Sequence, residues 1–337
     1  MPGIRSLGWA LAALAAAFGL ASCGNEEGKP TAFESAVATL GVGVSPTGTG
    51  FGWVDIDALR GYPVDTAFAA DALGPGADDL FDDEAEIFRA TGFAPGYAGA
   101  AISEGGSYAF GVRFDGVDPG RLEQLLIDAG ARTSKNGRWT LFDLGRPAEG
   151  VPDGPLAPFG ALISRVALAP DSVVLTRFEP ARASLTGDGG SFSPSPAFEA
   201  AADCLGEVVA ARTIPAAFTH NKLVSPDLIA IGVRPLNEDV PPREVLCAID
   251  DSADRSETQA AALERAFAAG ASDPLTGAPI ETEVEEAEVT REERGEYHVA
   301  RAELEPADGA QPGLLFRAFV RGSLLIYLGA ERPVPQG

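Results

Sequence analysis

Residues 97–131 read YAGAAISEGGSYAFGVRFDGVDPGRLEQLLIDAGA, and the change of period within this stretch sets the fold class. The spacing predicts strands over 97–102 and 107–114, folded into a hairpin around Glu104-Gly105-Gly106. In the second strand Tyr108, Phe110, Val112 and Phe114 alternate, which is the period of a half-buried strand. Asp118-Pro119 then predicts a helix start, with the Asp as cap and the Pro at the first position. Leu122, Leu125, Leu126 and Ala129 stand at i, i+3, i+4 and i+7, and Gly130 ends the helix.

Outward from this unit the chain continues in kind. Strands are expected over 138–144, 159–168 and 172–178, the last two joined by a turn at Pro170-Asp171. Upstream, Trp53 to Asp57 reads as a short strand. Residues 78–90 read as a helix with Leu80, Ile87 and Phe88 on one side. Downstream the order recurs: strands over 227–233 and 244–249, then a helix from about Asp254 with Glu257 as its capping-box partner. The stripe of that helix is Leu263, Ala266, Phe267 and Gly270. Both helices end in Ala-Gly-Ala, at 129–131 and 269–271. Three strands are expected again, over 296–304, 314–320 and 323–328. A connecting helix over 197–209 carries Cys204. The class is therefore α+β: antiparallel sheets with helices on one face, in two similar β-β-α-β-β-β halves. Such an order suggests an internal duplication, although it is also generic for α+β domains.

The start of the chain carries a different signal. After Arg5 in the head, residues 7–20 run without a charge. As a helix these fourteen residues span roughly 21 Å, short of a ~30 Å hydrocarbon core. A charged head, a short apolar run and small residues at its end describe an export signal. Leu20-Ala21-Ser22-Cys23, followed by Gly24, resembles the lipobox of bacterial lipoproteins. That resemblance covers about the first 24 residues. It implies that the Cys23 thiol receives a diacylglyceryl group and that cleavage leaves Cys23 first. In signal, acidity and length the chain resembles envelope lipoproteins of GC-rich bacteria. The expected organisation is a signal peptide over 1–22, a lipidated tether over 23–32, a first half over 33–190, and a connecting helix with the second half over 191–337. Two acyl chains make such an anchor stable, at ~0.8 kcal/mol per buried methylene. The expected location is extracytoplasmic, on a membrane through lipid on Cys23.

The formal charge is −24, with three lysines against 22 arginines. So acidic a surface repels phosphate backbones and excludes nucleic acid as a partner. Two cysteines remain after Cys23, namely Cys204 and Cys247. Outside the cytoplasm such a pair is expected to be bridged, the alternative being two buried thiols.

Motifs for chemistry are scarce. The only histidines are His220, in a polar loop, and His298, expected on a strand facing solvent. Ser107 and Ser191 follow Gly-Gly but lack the closing Gly of a nucleophile elbow. No Cys/His spacing matches a zinc site. Asp250 to Asp254 offers acids at positions one and five of an EF-hand-like loop. Arg255, however, stands where the turn glycine belongs, and Ala261 where the bidentate Glu belongs. The acids at 78–84 read as a solvated helix face. The eight glutamates of 281–296 read as a charged edge strand. Gly41 and Gly43 begin a dinucleotide fingerprint that Pro46 breaks. No catalytic residue, cofactor or metal is therefore expected. The reading is a non-enzymatic envelope lipoprotein acting through protein or ligand binding. Two rivals are a carrier of apolar ligands, motivated by the apolar runs at 159–168 and 314–328, and a hydrolase with a dispersed active site.

Overall fold

The computed structural model describes residues 29–41, 50–60, 66–105, 110–145, 154–188, 190–216, 226–234, 242–274 and 276–330. Cys23 and the signal segment, His220, Ser107 and Gly43 lie outside them.

Among the described residues twelve strands form one sheet. The first seven are β1 (Phe51–Asp55), β2 (Ala100–Glu104), β3 (Gly111–Asp115), β4 (Arg132–Asn136), β5 (Trp139–Asp143), β6 (Arg165–Ala169) and β7 (Ser172–Thr176). The rest are β8 (Ala210–Pro215), β9 (Leu228–Val233), β10 (Glu244–Asp250), β11 (Val284–Arg294) and β12 (Tyr297–Pro306). Their spatial order is β11-β12-β10-β9-β8-β1-β2-β3-β7-β6-β5-β4, and every neighbouring pair is antiparallel. Each half runs a three-stranded meander, crosses through a helix, and returns so that its last strand docks on its third. In the first half β7 lies on β3, after helix α6 (Leu122–Asp128). In the second, β12 lies on β10, after helix α9 (Ala253–Ala266). The halves join where β1 pairs with β8.

The α+β class and the antiparallel pairing stand. The helices, however, cover both faces of a single sheet. One core joins Val54, Phe114, Val173, Leu246 and Ala300 to Leu126 of α6 and Leu263 of α9. The alternate residues Trp53, Ile102, Val174, Cys247 and Val299 form a second core on the other face. There they meet Phe33 and Val37 of α1 (Ala32–Val37), Leu185 of α7 (Glu179–Thr186) and Phe198 and Leu205 of α8 (Pro196–Leu205). Successive side chains point to opposite faces, so a strand covered on both sides is apolar throughout. That is the burial of β7 to β10, which hides the alternation that would reveal a single covered face.

Several boundaries differ from the sequence reading, each for a local reason. Asp118 accepts the Gly120 N–H in a turn, and the helix starts only at Leu122. Residues 78–90 break at Asp83 into α4 (Asp78–Asp82) and α5 (Glu84–Thr91). The connecting helix stops at Leu205, because Gly206 takes φ +64° and the chain turns toward β8. Ser252, not Asp254, caps α9, its hydroxyl accepting the Arg255 N–H, and Glu257 instead pairs with Arg291. The first six residues of 159–168 belong to a 3-10 turn (Ala157–Ser164), where Pro158 lacks a donor and Gly160 takes φ +54°.

The largest correction concerns 314–328, which is helical: α10 (Leu314–Val320) and α11 (Leu324–Tyr327). Glu244, buried on β10, accepts the N–H groups of Gly313, Leu314 and Leu315 at 2.7, 2.9 and 2.9 Å and so starts α10. Burial, outweighing those donors and Arg317, pushes its carboxyl above the usual range. Leu314, Leu315, Phe316, Leu324 and Tyr327 pack into the first core. The apolar runs that suggested a ligand-lining pair of strands pack into the cores, 159–168 as 3-10 turn and strand β6 and 314–328 as helix. The second half ends in two helices where the first ends in the β6–β7 hairpin, so the six-element repeat does not hold throughout.

Candidate functional site at the start of α9

Residues singled out in the sequence converge where β10 runs into α9. Glu244, Leu246, Ala248 and Asp250 share the face that α9 covers, which leaves the Asp250 carboxylate fully buried. Asp250 is held by the Ser252 N–H at 2.9 Å, by Arg255 Nε at 2.8 Å to each oxygen, and by Gln259 Nε2 at 3.2 Å. Arg255 Nη2 reaches both Asp250 (2.6 Å) and Asp251 (2.7 Å). From the start of β9, Asp227 accepts the Asp251 N–H at 3.0 Å. The three carboxylates can each place an oxygen within 4.8 Å of the others. Burial raises the Asp227 carboxyl above its ordinary value. The charges of Asp250 and Asp251 raise it further, while the Asp251 N–H and Arg255 lower it.

Three oxygens so close suggest a cation, and one is already built in. Arg255, the residue that spoils an EF-hand reading, lays its guanidinium on Asp250 and Asp251. The hydrogen bond to Asp250 holds its own pKa above the usual value. With both Asp250 oxygens taken by the Arg255 and Gln259 donors, the cluster fits an internal counter-ion that caps α9 better than a metal. Truncating Arg255 to Ala would leave a buried carboxylate without its charge partner. Losing a buried partner costs roughly 3–5 kcal/mol. Because the Arg255 side chain is 44% exposed, water reaches the pair and about 2 kcal/mol is expected. Urea midpoints of wild type and Arg255→Ala check this; equal midpoints would show the guanidinium to be idle.

Beside the cluster lies a cavity of about 270 Å³, lined by Ala253, Ser256, Arg291, Glu292, Glu293 and His298. His298 stands across from Asp250 in the β10–β12 register, half-buried under α9 and not facing solvent as expected. The reason is that α9 packs over this face of β12. His298 Nδ1 lies 3.9 Å from Glu293 Oε1, and among the described residues the buried Ser256 hydroxyl has no hydrogen-bond partner. Ser256 and His298 are therefore neighbours without the shared proton that activates a serine. No known protein family, curated protein or solved structure matches this chain.

Other marked residues fall elsewhere. Cys204 of α8 is bonded to Cys247 of β10, tying the connecting helix to the second half. Ser191 bridges to Gly41, where an added Cβ would stand 2.3 Å from the Asp188 carbonyl oxygen, so that glycine serves packing. The acids at 78–84 are mostly exposed, as a solvated face should be, though Glu84 accepts the Gly96 N–H at 2.8 Å. An open groove of about 620 Å³ between α3 (Thr66–Leu73), α10 and residues 308–312 is lined by Asp71, Glu283, Asp308, Arg317 and Arg321 among others. So charged a lining does not suit an apolar ligand.

Arg212 and Glu104 are among the buried ionisable residues that sequence reasoning missed. Arg212 on β8 is fully buried, caps α3 by donating to the carbonyls of Ala72 and Leu73, and reaches that of Gly105. Phe319 covers it at 4.4 Å, and burial lowers its pKa to about 9. Glu104 on β2 points to the opposite face, 7% exposed, with one carboxyl oxygen unpartnered; burial pushes its pKa up to about 7. The available signal at Arg212 was a lone charge inside an apolar run, whereas Glu104, beside Gly105-Gly106, reads as a turn residue.

Proposed function

We propose that the protein works outside the cytoplasm, held to a membrane by lipid on Cys23, and acts by binding other molecules and not by catalysis. The observation that carries this reading is the Cys204–Cys247 disulfide. Such bonds persist in oxidising compartments, and the export signal with its lipobox supplies the route there. The folded body begins at Thr31, whose side chain and that of Glu34 cap α1 reciprocally. Seven residues, 24–30, then separate it from the anchor, a reach of at most ~25 Å when extended. Among the described residues no helix is long and apolar enough to cross a membrane. Lipid is thus the attachment that this reading requires.

Replacing Cys23 with Ala is expected to move the protein from the membrane to the soluble extracytoplasmic fraction, with the body still folded and its disulfide formed. Fractionation of cells, with intact mass of the N-terminal peptide, reads both events. Membrane retention of the Cys23→Ala protein, or an unacylated Cys23 in the wild type, would overturn the anchor.

A further inference from the structure

We propose that copies of this chain join edge to edge, β4 of one molecule beside β11 of the next, so that the sheet continues from copy to copy. Among the described residues the sheet is open: β4 pairs only with β5 and β11 only with β12. Unpaired edges are templates for another strand, and charge on them keeps copies apart when both edges carry the same sign. Here the signs differ. β4 reads Arg132-Thr-Ser-Lys135-Asn, with all five residues exposed and no acid. β11 carries five glutamates against two arginines. Both arginines are engaged at home, Arg291 with Glu257 and Arg294 with Glu292. Among the described residues Glu285, Glu286 and Glu288 are exposed with no ion pair, and on β4 Arg132 pairs with Asp143 while Lys135 is exposed and unpaired.

The charges choose among the possible joints. Two β11 edges would set glutamate against glutamate, and two β4 edges would set cation against cation. Like charges directly opposite destabilise a strand pair, and opposite charges favour it. Strand direction makes the same choice. Twelve strands alternate without exception, so the two outermost run antiparallel to each other. A second copy moved along the sheet without turning over therefore presents its β4 antiparallel to β11 of the first. The alternation continues, and each helical layer stays on its own side. Such a contact is heterologous and does not close on itself.

The backbone identifies the groups that would form the joint. Gly137-Arg138 is a two-residue turn, so Asn136–Trp139 is the hydrogen-bonded closing pair. On β4 the N–H groups of Thr133 and Lys135 then point outward. A joint only five residues long and charge-assisted should be weak and sensitive to salt.

The test is sedimentation velocity of the full-length protein, solubilised in a non-ionic detergent, over a concentration series at low and high ionic strength. The expected result is a mean mass that rises with concentration at low salt and falls to one chain per particle at high salt. Lys135→Glu should weaken association several-fold. Mixing it with Glu286→Lys/Glu288→Lys protein should restore the joint. Thr133→Pro removes an outward donor while keeping the charge and the β4–β5 ladder, and it should abolish association. A single chain per particle at every concentration and salt overturns the proposal. So does association that survives both Lys135→Glu and Thr133→Pro. None of these outcomes depends on the anchor at Cys23.

Discussion

Reducing the Cys204–Cys247 bond is expected to lower the unfolding free energy by about 4 kcal/mol. The bond closes a loop with a sequence separation of 43, and cross-linking such a loop removes that much conformational entropy from the unfolded chain in the chain-entropy description. Both cysteines are buried, Cys204 near the end of α8 and Cys247 in the middle of β10. Losing the link therefore also loosens the packing of α8 on the second half. In thermal unfolding the shift should be roughly 10 °C, at about 2–4 °C for each kcal/mol in a chain of this size. Cys204→Ala/Cys247→Ala should match the reduced protein and be indifferent to reductant. Equal midpoints with and without reductant, with two thiols titrated after reduction, would show that the link adds nothing.

Replacing Glu104 with Gln is expected to stabilise the protein by about 3 kcal/mol at pH 8 and not at all at pH 4. Its folded pKa is about 7 against an ordinary value of 4.5, because burial disfavours the carboxylate. Below 4.5 the folded and unfolded chains both hold the proton, and Glu104 has no pH-dependent effect. Between 4.5 and 7 the unfolded chain releases the proton while the folded one keeps it, so stability falls as pH rises. Above 7 the cost is complete, each pH unit of difference having contributed about 1.4 kcal/mol. Urea midpoints of wild type and Glu104→Gln across pH 4–8 should coincide at the acid end and separate toward pH 8. Curves that stay parallel would mean that Glu104 ionises freely in the folded state.

The legible parts of the fold were those whose signals are local. The 97–131 unit, the β6–β7 hairpin, β9 with β10, and α9 each carry their own period and turn residues. The charged edge was legible too, since the glutamates of 284–294 suit a strand with water beside it, and β11 is an outermost strand. Two strands escaped. β4 is polar throughout because it is exposed along its whole length, so no alternation marks it. β8 holds Arg212 and Pro215, which break an apolar run, and its arginine is buried by the end of α3. At the candidate site, Asp250, Asp251 and His298 were visible as residue types. Asp227 and Ser256 were not, because nothing near them in the chain marks them.

The sequence by itself determined the α+β class, the antiparallel hairpins, the two crossing helices, the acidic edge of β11, and the two cysteines available for a bond. These follow from neighbours a few residues apart, where period, caps and turns act. Only the tertiary structure decided that Arg255 closes the Asp227–Asp250–Asp251 cluster, and that Arg212 caps a helix 139 residues away. It alone decided that 314–328 coils into helices. A short apolar run suits strand or helix equally well, and its conformation depends on the partners it meets. Here both sides of β10 were already taken by β9 and β12, and the Glu244 carboxylate offered three backbone N–H groups a place to begin a helix.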